Sequence, residues 1–285
     1  MGLSITLKPS PNTNFSLGFP NECVTAVICP NKSETKEIMD AIAGSAPLKV
    51  GEIRFRDRQE SIRTPDFIKH VGYVPRQPEV IAFWTIERMA QFLATWYDSW
   101  NWDDFHLTLE RFSIKAKHPI KSLSTGRLRL LWFAYATAYD PDILLLDSPT
   151  KDLDSILWGA LRTELLRFME RPNKIAIITD RDFGEVQRLA DIITFINDHK
   201  VLGSYEKDSL FDQWKTLWLD KQPPHNLPGV ISTAQNDPTQ ILTSSFQETK
   251  NALEKLDIEI FSCSSMSLEE IYIYLRDERS STHAG

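Results

Sequence analysis

The stretch Ile143-Leu144-Leu145-Leu146-Asp147-Ser148-Pro149-Thr150-Lys151-Asp152-Leu153-Asp154 decides the fold of this chain. An apolar run with no polar alternation makes a strand covered on both faces. It ends in a carboxylate, and the Ser-Pro-Thr and Lys-Asp that follow are turn chemistry. Upstream, Leu123-Ser124-Thr125-Gly126-Arg127 opens an apolar helix that includes Leu130 to Ala138. Ser124 is placed to cap it, since a serine oxygen accepts from a free first-turn amide. Alone, Ser-x-Gly before an apolar helix describes any capped helix. Its spacing from the strand and from Leu153-Asp154 makes it specific.

Further buried strands read as Val24–Ile28, Val71–Val74, Ile175–Thr179 and Ile192–Ile196, each separated from the next by helical patterns. Such strands imply a parallel sheet with helices on both faces. Shorter alternating pieces (Ser4–Lys8, Phe15–Phe19, Glu52–Arg56) read as an antiparallel layer. Residues 78–122 form a helical insert carrying Trp84, Trp96, Trp100 and Trp102, which as large aromatics read as core. After Gly203 the pattern changes: 204–285 reads as a small α+β domain, with Pro223, Pro224 and Pro228 marking a loop. Strand-like runs follow at Val230–Thr233, Ile241–Ser244 and Ile258–Cys263, with a helix near Phe246–Leu256. The last helix opens with a capping box, Ser267 to Glu270, and shows Leu268, Ile271, Tyr272 and Leu275 on one face.

The 285 residues are 42% hydrophobic and 25% charged, as in an ordinary globular protein. A net charge of -7 without a basic block argues against nucleic acid as a partner. Cys23, Cys29 and Cys263 show no metal-ligand spacing, so no metal site is expected and reduced thiols in the cytosol are. No apolar run approaches the ~20 residues of a membrane span. Met1-Gly2-Leu3-Ser4-Ile5-Thr6 fits an acylation pattern too short to carry an assignment.

Leu123–Arg127, the strand ending in Asp147 and the turn closing on Leu153-Asp154 together resemble the ATPase subunit of an ABC transporter, over roughly the first 200 residues. The resemblance implies a RecA-like P-loop NTPase core with an antiparallel β layer, a helical subdomain at about 78–122 within an ATPase-like domain 1–203, and a small C-terminal domain. It also implies a phosphate loop after Val24–Ile28, where the chain reads Cys29-Pro30-Asn31-Lys32-Ser33-Glu34-Thr35-Lys36. Against the family pattern GxxGxGK[ST], the glycine positions hold Cys29, Lys32 and Glu34, and the lysine position holds Thr35. Glycines matter there because the backbone must curl with positive φ around the phosphates. Glu34 would set a carboxylate near the β-phosphate, and like charges ~4 Å apart repel by about 4 kcal/mol at an effective dielectric of ~20. Lys36 comes one residue late, a turn of ~100° on a helix.

Other positions implied by the resemblance agree. Asp147 matches the metal-orienting aspartate, but Ser148 stands where the family places its catalytic glutamate. Losing a general base typically costs ~10²–10⁴ in rate. The switch histidine aligns with Arg181, and the switch glutamine with Arg76, Gln77 being one residue late. No aromatic in residues 7–14 is available to stack on adenine. Ser124, Thr125, Gly126, Arg127 and Asp154 would instead serve in trans, on Mg-ATP held by a competent ATPase subunit, while this chain's own site holds no cofactor. The chain is thus expected to be a degenerate nucleotide-binding subunit of a heteromeric ABC transporter, peripheral on the cytoplasmic face of the membrane through permease subunits. Phe83 and Trp84 are the expected permease contacts. Two alternatives remain at this point. One is a non-hydrolysing scaffold or regulatory protein on the same fold. The other is a weak ATPase whose remodelled loop grips nucleotide through Lys32 or Lys36.

Overall fold

The computed structural model describes residues 2–10, 13–45, 50–56, 58–60, 65–77, 81, 83–180, 182–224, 226–234 and 239–281. The chain forms two compact units, Met1–Val201 and Leu202–Gly285.

The first unit is layered. Strands β1 (Leu3–Ser10), β2 (Thr13–Phe19), β4 (Val50–Phe55) and β5 (Arg58–Glu60) form an antiparallel sheet in the order β2-β1-β4-β5. In β1, Leu3, Ile5 and Leu7 are buried while Ser4 and Lys8 are exposed, the alternation of a one-sided strand. The central sheet runs β10-β9-β3-β8-β7-β6, from β3 (Cys23–Ile28), β6 (Val71–Val74), β7 (Ile143–Asp147), β8 (Ile175–Thr179), β9 (Ile192–Asn197) and β10 (Lys200–Glu206). The pairs β3/β8, β3/β9, β6/β7 and β7/β8 are parallel, and every residue of β7 and β8 is buried. Helix α1 (Lys32–Ile42) contributes Ile38, Met39 and Ile42 to a core shared by both sheets, including Ile5, Phe19, Ile53, Leu145 and Ile177. After the short α2 (Pro65–Ile68) and β6 come α3 (Ile86–Ala94) and α4 (Trp102–Arg111), which form the helical insert. Helices α5 (Thr125–Thr137), α6 (Ser155–Met169) and α7 (Phe183–Leu189) connect the remaining strands.

The insert's tryptophans are not its core, as their size suggested. Trp96 is exposed, and Trp84, Trp100 and Trp102 are only half-buried. Its interior is filled by Ile86, Met89, Phe105, Leu109 and Phe112, with Phe112 edge-on to Phe133 of α5 at 6.1 Å. Smaller apolar side chains close the space between short helices, leaving the indoles on the margins.

The second unit has a sheet in the order β12-β13-β11-β14: β11 (Lys215–Leu219), β12 (Val230–Ala234), β13 (Thr239–Thr243) and β14 (Ile260–Ser265). Leu217, Leu219, Ile241 and Ile258 meet Leu253 of α9 (Phe246–Lys255). Strand β11 and the preceding α8 (Lys207–Gln213) were not among the elements expected from the sequence. In front of α10 (Leu268–Ser281) the capping box forms in both directions. Glu270 N donates to Ser267 Oγ at 3.2 Å, and Ser267 N donates to the Glu270 carboxylate at 2.8 Å.

Candidate functional site

The segment after β3 is not a cradle. Asn31 caps α1 by accepting from Ser33 N at 3.0 Å, so the helix starts at Lys32 and only Cys29-Pro30-Asn31 remain as loop. None of residues 29–36 adopts positive φ. Their backbone therefore enters a helix rather than curling around an anion, with Ser33 N taken by the Asn31 side chain and Thr35 N by the Asn31 carbonyl. Thr35, at the lysine position, is buried and donates its hydroxyl back to the Asn31 carbonyl at 3.0 Å. Lys36 pairs with Asp40 one turn along, which raises its pKa.

The Glu34 side chain is turned into the protein. It is 1% exposed, and its two oxygens accept from His199 N at 2.6 Å and from Cys29 Sγ at 3.3 Å. Its carboxylate ties α1 to the β9–β10 turn. Burial, reinforced by the Glu34 charge, pushes the Cys29 thiol up to about 12. Glu34 thus serves as a structural tie between these elements.

At the ends of β6 and β7 the side chains converge. Arg76 donates through Nη2 to Asp147 Oδ1 and through Nε to Ser148 Oγ, both at 3.0 Å. The same Oδ1 also accepts from Thr179 Oγ1 at 3.0 Å and from Ser148 Oγ at 3.2 Å. Arg129 of α5, only 1% exposed, donates to the carbonyls of Asp147 (3.1 Å) and Arg76 (2.7 Å), and burial lowers its pKa. Beside them, Asp180 accepts from Thr150 N at 2.9 Å and Thr150 Oγ1 at 2.7 Å, holding the turn after β7. Ser148 itself sits in the left-handed region at φ 54°. Arg181 lies outside the described residues.

These residues do not fit Mg-ATP. Asp147, the metal-orienting position, already faces a guanidinium and two hydroxyls. A divalent cation on that oxygen would meet the Arg76 charge, and Ser148 offers no carboxylate. Among the described residues no cluster of three or more His, Cys, Asp or Glu side chains is arranged to hold a metal.

Lys32, Lys36, Arg76, Gln77 and Asp147 share one cavity of about 1150 Å³, whereas Ser124, Thr125, Arg127 and Asp154 do not line it. Ser124 caps α5 by accepting from Arg127 N at 3.4 Å, and both Ser124 and Thr125 are exposed. Arg127 reaches the Ser113 carbonyl at 3.0 Å, and Asp154 caps α6 by accepting from Ile156 N and Leu157 N at 3.0 and 2.8 Å. Gly126 is buried. A Cβ there would lie 2.7 Å from the Asp152 carbonyl oxygen and 2.9 Å from Leu157 Cδ1. Its lack of a side chain serves contact within the chain. Arg129, Thr179 and Asp180 escaped the sequence reading, because a buried arginine or a carboxylate after a strand carries no local signal of its partner.

Residues 14–151 match the family model described as ABC transporter. The chain is 24% identical over 237 residues, 78% of each chain, to the ABC transporter ATP-binding protein YtrB of Bacillus subtilis. Among solved structures, an ATP-binding subunit of an ABC transporter is similar with a TM-score of 0.65 and 14% identity, over 75% of this chain and 93% of that one. The dimeric bacterial cassette MJ0796 gives 0.61 and 19%, over 72% and 98%. The motif order, the layered fold and these relatives agree: residues 14–151 match the ABC transporter family, and the chain is similar to its ATP-binding (nucleotide-binding) subunits.

Proposed function

We propose that this chain is a degenerate ATP-binding subunit that pairs with a competent ATPase subunit, completes that subunit's site and couples it to membrane permeases. The observation that carries the reading is Arg76, whose guanidinium occupies both Asp147 and Ser148 where a metal and a general base would act. A phosphate segment without positive φ supports the same loss. Ser124 supports the retained half: it is exposed at the N-terminus of the 13-residue α5, where amides and helix dipole favour an anion. MJ0796, a cassette of this fold, is dimeric. Among the described residues no helix is long and apolar enough to cross a membrane, so contact with the bilayer would go through permeases. Phe83 is 82% exposed and Trp96 64%, an apolar display on the helical insert suited to a permease surface.

The test is ATP hydrolysis by the assembled complex, comparing Ser124→Glu with Lys36→Ala in this chain. A carboxylate at Ser124 would face the other subunit's γ-phosphate. The resulting penalty of about 3–4 kcal/mol corresponds to roughly two to three powers of ten in rate. Lys36→Ala should leave the rate unchanged. Full activity with Ser124→Glu would favour a scaffold that uses the fold for binding alone.

A further inference from the structure

Between Arg111 and Tyr139 the chain carries six basic residues and no acidic one, in a protein whose net charge is -7. Three of the six are spent within the fold. Arg111 pairs with Glu164 at 3.0 Å, Arg127 donates to the Ser113 carbonyl, and Arg129 is buried. Lys115, Lys117 and Lys121 are exposed, and none of them has a carboxylate partner among the described residues.

The backbone joins these lysines to the start of α3 in one ribbon. Ile86 N donates to the His118 carbonyl at 3.1 Å, Glu87 N to the Ala116 carbonyl at 2.9 Å and Ile120 N to the Trp84 carbonyl at 2.9 Å. An antiparallel bridge between Thr85 and Pro119 lies among these bonds. On the ribbon, Lys121 Nζ stands 5.2 Å from the centre of the exposed Phe83 ring, and Arg88 Cζ stands 4.8 Å from that of Trp84. Arg88 is exposed and also lacks a carboxylate partner among the described residues. The ribbon's own carboxylate, Glu87, is taken by His106 Nε2 at 3.0 Å.

Four unneutralised cations therefore stand beside two aromatic rings. Lysines are point charges on long, rotatable stems, so they suit a partner whose anions are many and mobile. Such charges are drawn to acidic lipid headgroups, and aromatic rings settle at the same depth. We propose that this ribbon of the helical insert binds the surface of an anionic bilayer directly. Arg88, Lys115, Lys117 and Lys121 meet lipid phosphates, and Phe83 enters the headgroup layer. The contact is peripheral, adds to those made through permeases, and does not rest on the pairing with an ATPase.

Co-sedimentation of the isolated full chain with vesicles tests it. The vesicles are phosphatidylcholine alone or an equal mixture with phosphatidylglycerol, at about 50 and about 500 mM salt. The expected result is saturable binding to the mixed vesicles in low salt. Binding should be at least roughly tenfold weaker on phosphatidylcholine alone and in high salt, where screening reaches within a few ångströms. Lys115→Ala with Lys117→Ala and Lys121→Ala should weaken partitioning about a hundredfold, at roughly fivefold for each cation. Lys200→Ala with Lys207→Ala and Lys255→Ala removes the same charge elsewhere and should change it by less than about twofold. Phe83→Ala should weaken it severalfold. A soluble polyglutamate peptide is the competing probe, and its binding through the same lysines without binding to mixed vesicles would give the ribbon to an acidic protein instead. No binding to mixed vesicles, equal binding to both lipid compositions, or equal losses in the two lysine triples would each overturn the proposal. None of these outcomes touches the permease reading, which a pulldown of the assembled complex measures separately.

Discussion

The guanidinium of Arg76 lies 3.0 Å from the carboxylate of Asp147, joining the end of β6 to the end of β7 across what would be the catalytic centre. Asp147 is 3% exposed in its side chain and Arg76 21%, so the carboxylate depends on this cation. Arg76→Gln should destabilise the fold by about 2–3 kcal/mol. That is below the usual cost of orphaning a buried charge, because Arg76 is partly solvated and Thr179 and Ser148 still donate. Denaturant midpoints measure the loss; an unchanged midpoint would mean that Asp147 is solvated without its arginine.

The isolated chain should show no magnesium-dependent ATP binding at millimolar nucleotide. Loop repair alone (Lys32→Gly, Glu34→Gly, Thr35→Lys) should not restore it, since Arg76 still holds Asp147 and Glu34→Gly removes the tie to His199. Arg76→Gln and Ser148→Glu are needed as well, with Arg181→His for turnover. Micromolar, magnesium-dependent affinity of the natural chain, seen by calorimetry, would show that the loop opens to receive a phosphate.

Gly126→Ala should destabilise the chain by about 1–3 kcal/mol, because the new methyl meets backbone at Asp152, which cannot swing aside. Thermal or chemical unfolding reads this directly. A neutral outcome would mean that the start of α5 shifts freely, and Gly126 would again become a candidate for contact with another subunit.

Cys29 gives stability a pH dependence. Its folded thiol titrates at about 12 against an ordinary 9, so between those values the folded chain holds a proton that the unfolded chain has released. Stability from this group is complete below pH 9 and falls above it by up to about 1.4 kcal/mol per pH unit. The difference in unfolding free energy between the natural chain and Cys29→Ala, measured at pH 8, 9.5 and 10.5, should shrink as pH rises. A constant difference would place the thiol in water.

The fold was legible because Val24–Ile28, Ile143–Leu146 and Ile175–Thr179 lack polar alternation, and burial on both faces of a sheet admits little else. The missing glycines at Cys29, Lys32 and Glu34 were equally legible, being a local property of the sequence. What escaped were side-chain destinations. Glu34 finds its partner in His199, 165 positions away, and Arg76 finds Asp147 71 positions away. Gly126 is small because of Asp152, a neighbour that only the turn after β7 delivers. The tryptophans misled for a related reason: burial depends on where short helices leave room, and hydrophobicity alone does not record that.

Arg129 sits on the helix that begins at Ser124, and it grips the main-chain oxygens at the ends of both β6 and β7. The junction between these strands is riveted from within by a side chain 1% exposed. Under the proposed pairing, a push on the exposed end of α5 would reach the Asp147 and Arg76 main chain through Arg129. Under that pairing, such a coupling would need no nucleotide at this chain's own site.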